Sequence, residues 1–182
     1  MDYPTASFML GEVARLTVAA IFTLAAIHAM REWTVFAGIV EQYRIAPRWL
    51  SAIAARTVPP LELTAGAALL VPSRAGVMLG LCLMASFTAA IILNIARGRV
   101  SIDCGCGGVS GQTLSKGLVL RNVGIMAGLA VAWEAPTRGN IEAMTAIEIL
   151  CASAALIALY FAANQLMRNF QQFGVPGSRS LS

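Results

Sequence analysis

The sequence predicts an all-α fold: a polytopic membrane bundle of four to five helices with an interfacial amphipathic helix. Three observations predict it. First, 58% of the 182 residues are hydrophobic and only 12% are charged, with a mean hydropathy of +0.73. A soluble domain carries about 25% charged residues, whereas lipid-facing positions need none. Second, apolar runs approaching the ~20 residues of a bilayer crossing recur along the chain. Third, the 16 glycines and many alanines let membrane helices approach closely.

Segment one spans Val13–Met30, with Glu12 and Arg15 at its near end and Arg31 and Glu32 at its far end. Asp2, Glu12 and one Arg make the first fifteen residues a poor signal-peptide n-region, so this run reads as a membrane helix. His28 near its far end reads as an interfacial polar residue, or as a proton or quinone partner.

Glu32–Arg56 mixes Trp33, Phe36, Tyr43 and Trp49 with Glu41, Arg44 and Arg48. Such mixtures suit the headgroup region. Pro47 breaks the helical pattern, so the stretch reads as a broken interfacial helix.

Segment two, Val58–Val71, opens on Pro59-Pro60, because proline is tolerated in a first turn. Two readings of Glu62 follow. A helix starting at Pro60 puts it in the first turn, complementing the dipole. A helix starting near Ala52 puts it at membrane depth, where a carboxylate is costly and a functional candidate.

Pro72-Ser73-Arg74 forms a turn. Segment three, Gly76–Ile95, is uncharged, with Asn94 near its end and Arg97-Gly98-Arg99 closing it. Segment four is Gly117–Trp133, with Arg121 in its first turns. Glu134–Asn140 is a turn, and segment five is about Ile141–Leu166. Residues 1–167 thus form one membrane domain, and the polar tail 168–182 is predicted to be disordered.

Cys82 and Cys151 lie in apolar runs and read as small buried hydrophobes. Cys104 and Cys106 are different. They sit in Ser101–Gly111, a polar glycine-rich loop between segments three and four. A disulfide between them needs a sharp bend at Gly105. So small a ring is strained, and strained disulfides are oxidising and labile. Arg97, Arg99 and Lys116 would lower the thiol pKa, and Asp103 would oppose them. A permanent structural bond or inert thiols remain an alternative reading. Metal ligation needs more ligands than two cysteines, from His28 or a partner. Glu62, His28 and Asn94 are candidates for a polar spot within the bundle. Nucleic-acid binding would need a clustered basic stripe, which the sequence lacks.

The order of these elements resembles the methylamine utilisation protein MauE family. The resemblance rests on the first helix, the stretch with Phe36, Tyr43 and Pro47, the run Val58–Gly66 with its proline-then-Leu-Glu-Leu pattern, and Asp103–Gly108 before the fourth helix. It covers residues 10–165. It implies a bacterial inner-membrane protein that matures methylamine dehydrogenase, whose small subunit is periplasmic and disulfide-rich. It implies a thioredoxin-like MauD-type partner. The bundle is also similar to DoxX-like and vitamin K epoxide reductase-like redox proteins. That similarity implies a quinone as electron acceptor, with no cofactor bound firmly. The chain lacks Cys-x-x-Cys and a second cysteine pair in its first long loop, so no complete internal relay is legible.

Sidedness is contested. Five spans put Arg15, Arg74 and Arg138 on one face and the other ten basic residues with the cysteine loop. A positive-inside count makes that face cytoplasmic. The resemblance makes it periplasmic, where disulfides form. The reading that follows is a thiol-disulfide component with Cys104 and Cys106 reactive. The alternative is a non-enzymatic anchor or transport component that docks a partner or client. A small transporter predicts paired charges in mid-helix, and only Glu62 is arguable there.

Overall fold

The computed structural model describes residues 6–104, 113–135 and 143–173. Those residues form six helices: α1 (Ala6–Arg31), α2 (Trp33–Gln42), α3 (Arg48–Leu70), α4 (Arg74–Ala96), α5 (Lys116–Glu134) and α6 (Ala143–Phe173). The architecture is all-α, and α1, α4, α5 and α6 are long and apolar enough to cross a membrane. The protein is a multi-pass membrane protein.

α1 is the central post. It packs against α2, α3, α5 and α6, while α4 packs on α3 and α5. α1 and α3 run antiparallel: Arg15 donates to the Leu69 carbonyl at 2.6 Å, and farther along α1 Thr23 faces Gly66, which precedes Leu69 by about one turn of α3. Glycine is required there, because a Cβ at Gly66 would lie 2.5 Å from Thr23 Oγ1. The main core fills the space between these helices with Phe22, Ala65, Leu69, Met84 and Leu129. A second core cluster, including Ile39, Tyr43, Ile91, Ile102 and Leu118, lies at the other end of the bundle.

The sequence reading opens segment two at Val58. The helix instead begins at Arg48 and runs through Pro59 and Pro60. Packing along α1 carries it past the two missing N–H donors. Thr57 returns its hydroxyl to the Ile53 carbonyl at 3.1 Å, one turn back. Arg48–Arg56 therefore belongs to this long helix, and the separate interfacial element shrinks to α2. Of the two readings of Glu62, the first-turn one is overturned. Glu62 lies about 21 Å along α3 from Arg48, at 1.5 Å per residue, and is buried. Arg48, Arg56 and Glu62 make α3 more polar than the four apolar helices beside it.

Two further expectations change. Cys82 and Cys151 face outward from the bundle. An apolar side chain gains little from burial in protein when lipid is the alternative. α6 continues to Phe173, so the first residues of the expected tail are helical. Residues 174–182, residues 136–142 and the loop residues 105–112, Cys106 among them, lie outside the described residues.

Candidate functional site

The site forms where α2, α3 and α4 meet the cysteine loop. α4 ends on Gly98, whose φ of +72° is the left-handed conformation that glycine supplies at a helix C-terminus. The Arg99 amide donates to the Asn94 carbonyl at 2.9 Å, closing the last turn. The chain then turns inward. Ile102, Cys104 and Leu114 are all buried. Leu114 N–H donates to the Ile102 carbonyl at 3.1 Å, and Asp103 bridges Thr113 antiparallel. The loop is thus pinched at its neck, with Cys104 just inside.

Each side of the neck is held by a different helix. From the end of α2, Tyr43 donates its hydroxyl to the Cys104 carbonyl at 3.1 Å. From α6, the Gln171 amide pairs with Thr113 in both directions. It accepts from Thr113 N–H and donates to the Thr113 carbonyl, each at 3.1 Å. The turn that brings Tyr43 into place carries a strained residue, Arg44, with φ of +45°. Its carbonyl accepts from Arg97 at 3.3 Å, which ties α2 to the end of α4.

Beside Cys104 lies a cavity of about 320 Å³. Its wall is apolar and partly aromatic, from Phe36, Ile39, Tyr43, Phe87 and Ala90 among others. Ile45 and Leu50, both exposed, lie among the lining residues. Two chemically distinct groups join that wall: Cys104, 3% exposed, and Glu62, 6% exposed. Glu62 also lines a narrower space on its other side, together with Arg121, Asn122 and Tyr160.

A model of the family described as "Methylamine utilisation protein MauE" matches residues 7–134. The chain belongs to the MauE family. A methylamine utilization protein MauE of Methylorubrum extorquens is 37% identical over 144 residues, covering 75% of this chain and 76% of that one. That of Paracoccus denitrificans is 32% identical over 157 residues, 84% of each chain. That of Methylophilus methylotrophus is 42% identical over 97 residues, about half of each. No solved structure matches.

In this MauE-family bundle the predicted residues separate into groups. Cys104 and Glu62 share a cavity. Arg97 braces the α2–α3 turn, Asp103 forms the neck, and Lys116 opens α5. His28 sits half-exposed at the end of α1, 3.8 Å from the Glu32 carboxylate. Asn94 is fully buried and donates to the Ala90 carbonyl one turn back at 3.0 Å. No described hydrogen bond joins His28, Glu62 and Asn94. Among the described residues no three His, Cys, Asp or Glu side chains gather as a metal site.

Two features escaped the sequence reading. One is a polar cluster: Arg121 donates to Asn122 and to Asn164, at 3.0 Å each, and Asn122 donates to Thr88 at 3.2 Å. Arg121 also stacks over Tyr160 at 5.6 Å. Asparagines inside apolar helices were the available signal. The other is the clamp by Tyr43 and Gln171, which joins residues about sixty positions apart and has no local signature.

Proposed function

We propose that this protein serves methylamine utilisation as a membrane thiol-disulfide component that matures the small subunit of methylamine dehydrogenase. Cys104 and Cys106 exchange a disulfide with a thioredoxin-like, MauD-type partner, which acts on the client. The membrane is the bacterial inner membrane, and the loop faces the periplasm, where the client's disulfides form. Membership of the MauE family supports the pathway. The observation that carries the chemistry is the neck of the loop. Tyr43 fixes the Cys104 backbone, and Gln171 fixes the opposite strand. A reactive pair needs such positioning, because exchange requires the attacked sulfur and the attacking thiolate to align.

The burial of Cys104 favours a second reading, in which the loop is a docking surface and the cysteines only shape it. Substitution separates the two. In cells growing on methylamine, Cys104→Ser and Cys106→Ser each abolish assembly of active dehydrogenase if the pair reacts. Either variant supporting wild-type assembly overturns the redox reading. Labelling of Cys106 in intact cells with a membrane-impermeant maleimide, after prior reduction, tests the side. Labelling only after permeabilisation overturns the periplasmic assignment.

A further inference from the structure

We infer that the cavity between α2, α3 and α4 is a binding site for a lipophilic ammonium ion, with Glu62 as its counter-charge. The site uses no cysteine chemistry, so it holds whether the loop thiols react or only shape a surface.

The charge on the wall is one-sided. Among the described residues Glu62 is the one charged side chain that lines the cavity, and no Arg, Lys or His joins it. Glu62 is buried, and among the described residues it makes no hydrogen bond or ion pair. Arg121 lies on its other side, with its guanidinium donating to Asn122 and Asn164. On the cavity wall the Tyr43 hydroxyl donates to the Cys104 carbonyl, and Ser51 donates to the Ala46 carbonyl. A buried carboxylate placed this way needs a partner that brings positive charge and donors.

Aromatic rings complete the pattern. Phe36 and Tyr43 stand on the α2 side of the cavity and Phe87 on the α4 side. The face of an aromatic ring attracts cations. A carboxylate and aromatic rings in one apolar space therefore select a cation with an apolar body. The cavity of about 320 Å³ has the size of a small-molecule site. The smallest alkylammonium ions would leave most of it empty, so the guest carries several carbons. Its N–H groups give the carboxylate charge-assisted hydrogen bonds. An acyl chain leaves the carboxylate unpaired, and an anion is repelled by it. A guest that only accepts hydrogen bonds offers an ionised carboxylate nothing.

The test uses the full chain in phospholipid nanodiscs, with tritiated 2-phenylethylamine as probe and 2-phenylethanol as its neutral match. Wild type should bind the amine saturably above the partition into empty nanodiscs. The alcohol should compete about tenfold more weakly or worse. Glu62→Gln should weaken the amine by about tenfold or more and leave the alcohol unchanged. Ala54→Trp and Ala90→Trp, which fill the cavity, should weaken both ligands. Leu120→Trp, on the exposed face of α5, should weaken neither. Saturating amine should also slow maleimide labelling of Cys104, which lies in the cavity wall, and not of outward-facing Cys82. The amine-against-alcohol comparison needs wild type alone, so a variant that misfolds leaves the inference testable. Amine binding that never saturates, or alcohol competing as well as the amine, overturns it. So does wild-type amine affinity in Glu62→Gln, or Cys104 labelling that the amine does not slow.

Discussion

The two ends of the bundle are built on opposite principles. At the end where α1 begins, the helices are closed tightly together. Glu12 and Arg15 form a buried ion pair, and Arg15 also caps the Leu69 carbonyl. Gly76 of α4 lies against the α3 backbone, where a Cβ would come within 2.5 Å of the Ala68 carbonyl. Arg74 stacks over Trp133 at 5.5 Å. At the other end the helices leave a cavity, and long-range hydrogen bonds from Tyr43 and Gln171 hold the chain around it. The difference teaches that tight helix closure and the cavity lie at opposite ends of the bundle. The closed end fixes how the helices cross. The open end holds the neck of the loop, with Cys104 in the cavity wall.

That contrast breaks first at the ion pair. Arg15→Met leaves Glu12 buried without its cation, a loss of about 3–5 kcal/mol. The melting temperature in detergent should fall steeply. The double variant with Glu12→Gln should recover most of it, because no uncompensated charge remains. Equal destabilisation of both would show that Arg15 matters for the Leu69 cap instead. Next comes Gly66→Leu. Overpacking against Thr23 and the Ala19 carbonyl costs about 1–3 kcal/mol and should lower the melting temperature. Neither variant should change how fast the loop thiols react in the protein that remains folded.

The legibility of the fold follows the same division. The four apolar helices were evident, because hydrophobic runs of bilayer length need no tertiary context. α3 was not. Pro59-Pro60 looks like a helix start, and only packing along α1 shows that the helix passes through it. The helix start matters, since it decides between the two readings of Glu62, a first-turn carboxylate or one deep in the bundle. The cysteine pair was found by its composition, polar and glycine-rich in an apolar chain. Its setting was not, because Tyr43 and Gln171 reach the neck from helices distant in sequence. Arg97, which the sequence places near the cysteines, donates to the Arg44 carbonyl. Charge near a cysteine in sequence says little about where a long side chain ends.

At the open end the expected effects are smaller and of a different kind. Gln171→Ala removes both hydrogen bonds to Thr113. At about 1 kcal/mol each, this is a local loosening of about 2 kcal/mol. Amide exchange at Thr113 and Leu114 should accelerate by more than tenfold, with the melting temperature nearly unchanged. A large melting shift would mean that the neck contributes to global stability, and the separation of the two ends would be lost.

The finest test is Tyr43→Phe. It removes a single hydroxyl and keeps the ring that packs with Ile39 and Ile91. The lost bond to the Cys104 carbonyl is worth about 1 kcal/mol, or roughly fivefold in an opening equilibrium. Cys104 is buried, so a maleimide reaches the reduced thiol only when the neck opens. Its labelling rate should therefore rise about fivefold. Cys82 serves as an internal reference, being already outward-facing, and its rate should not move. If both cysteines accelerate together, the hydroxyl supports the whole bundle. If neither does, Tyr43 holds its place through its ring alone. Only a rise confined to Cys104 makes the hydroxyl a local latch on the loop.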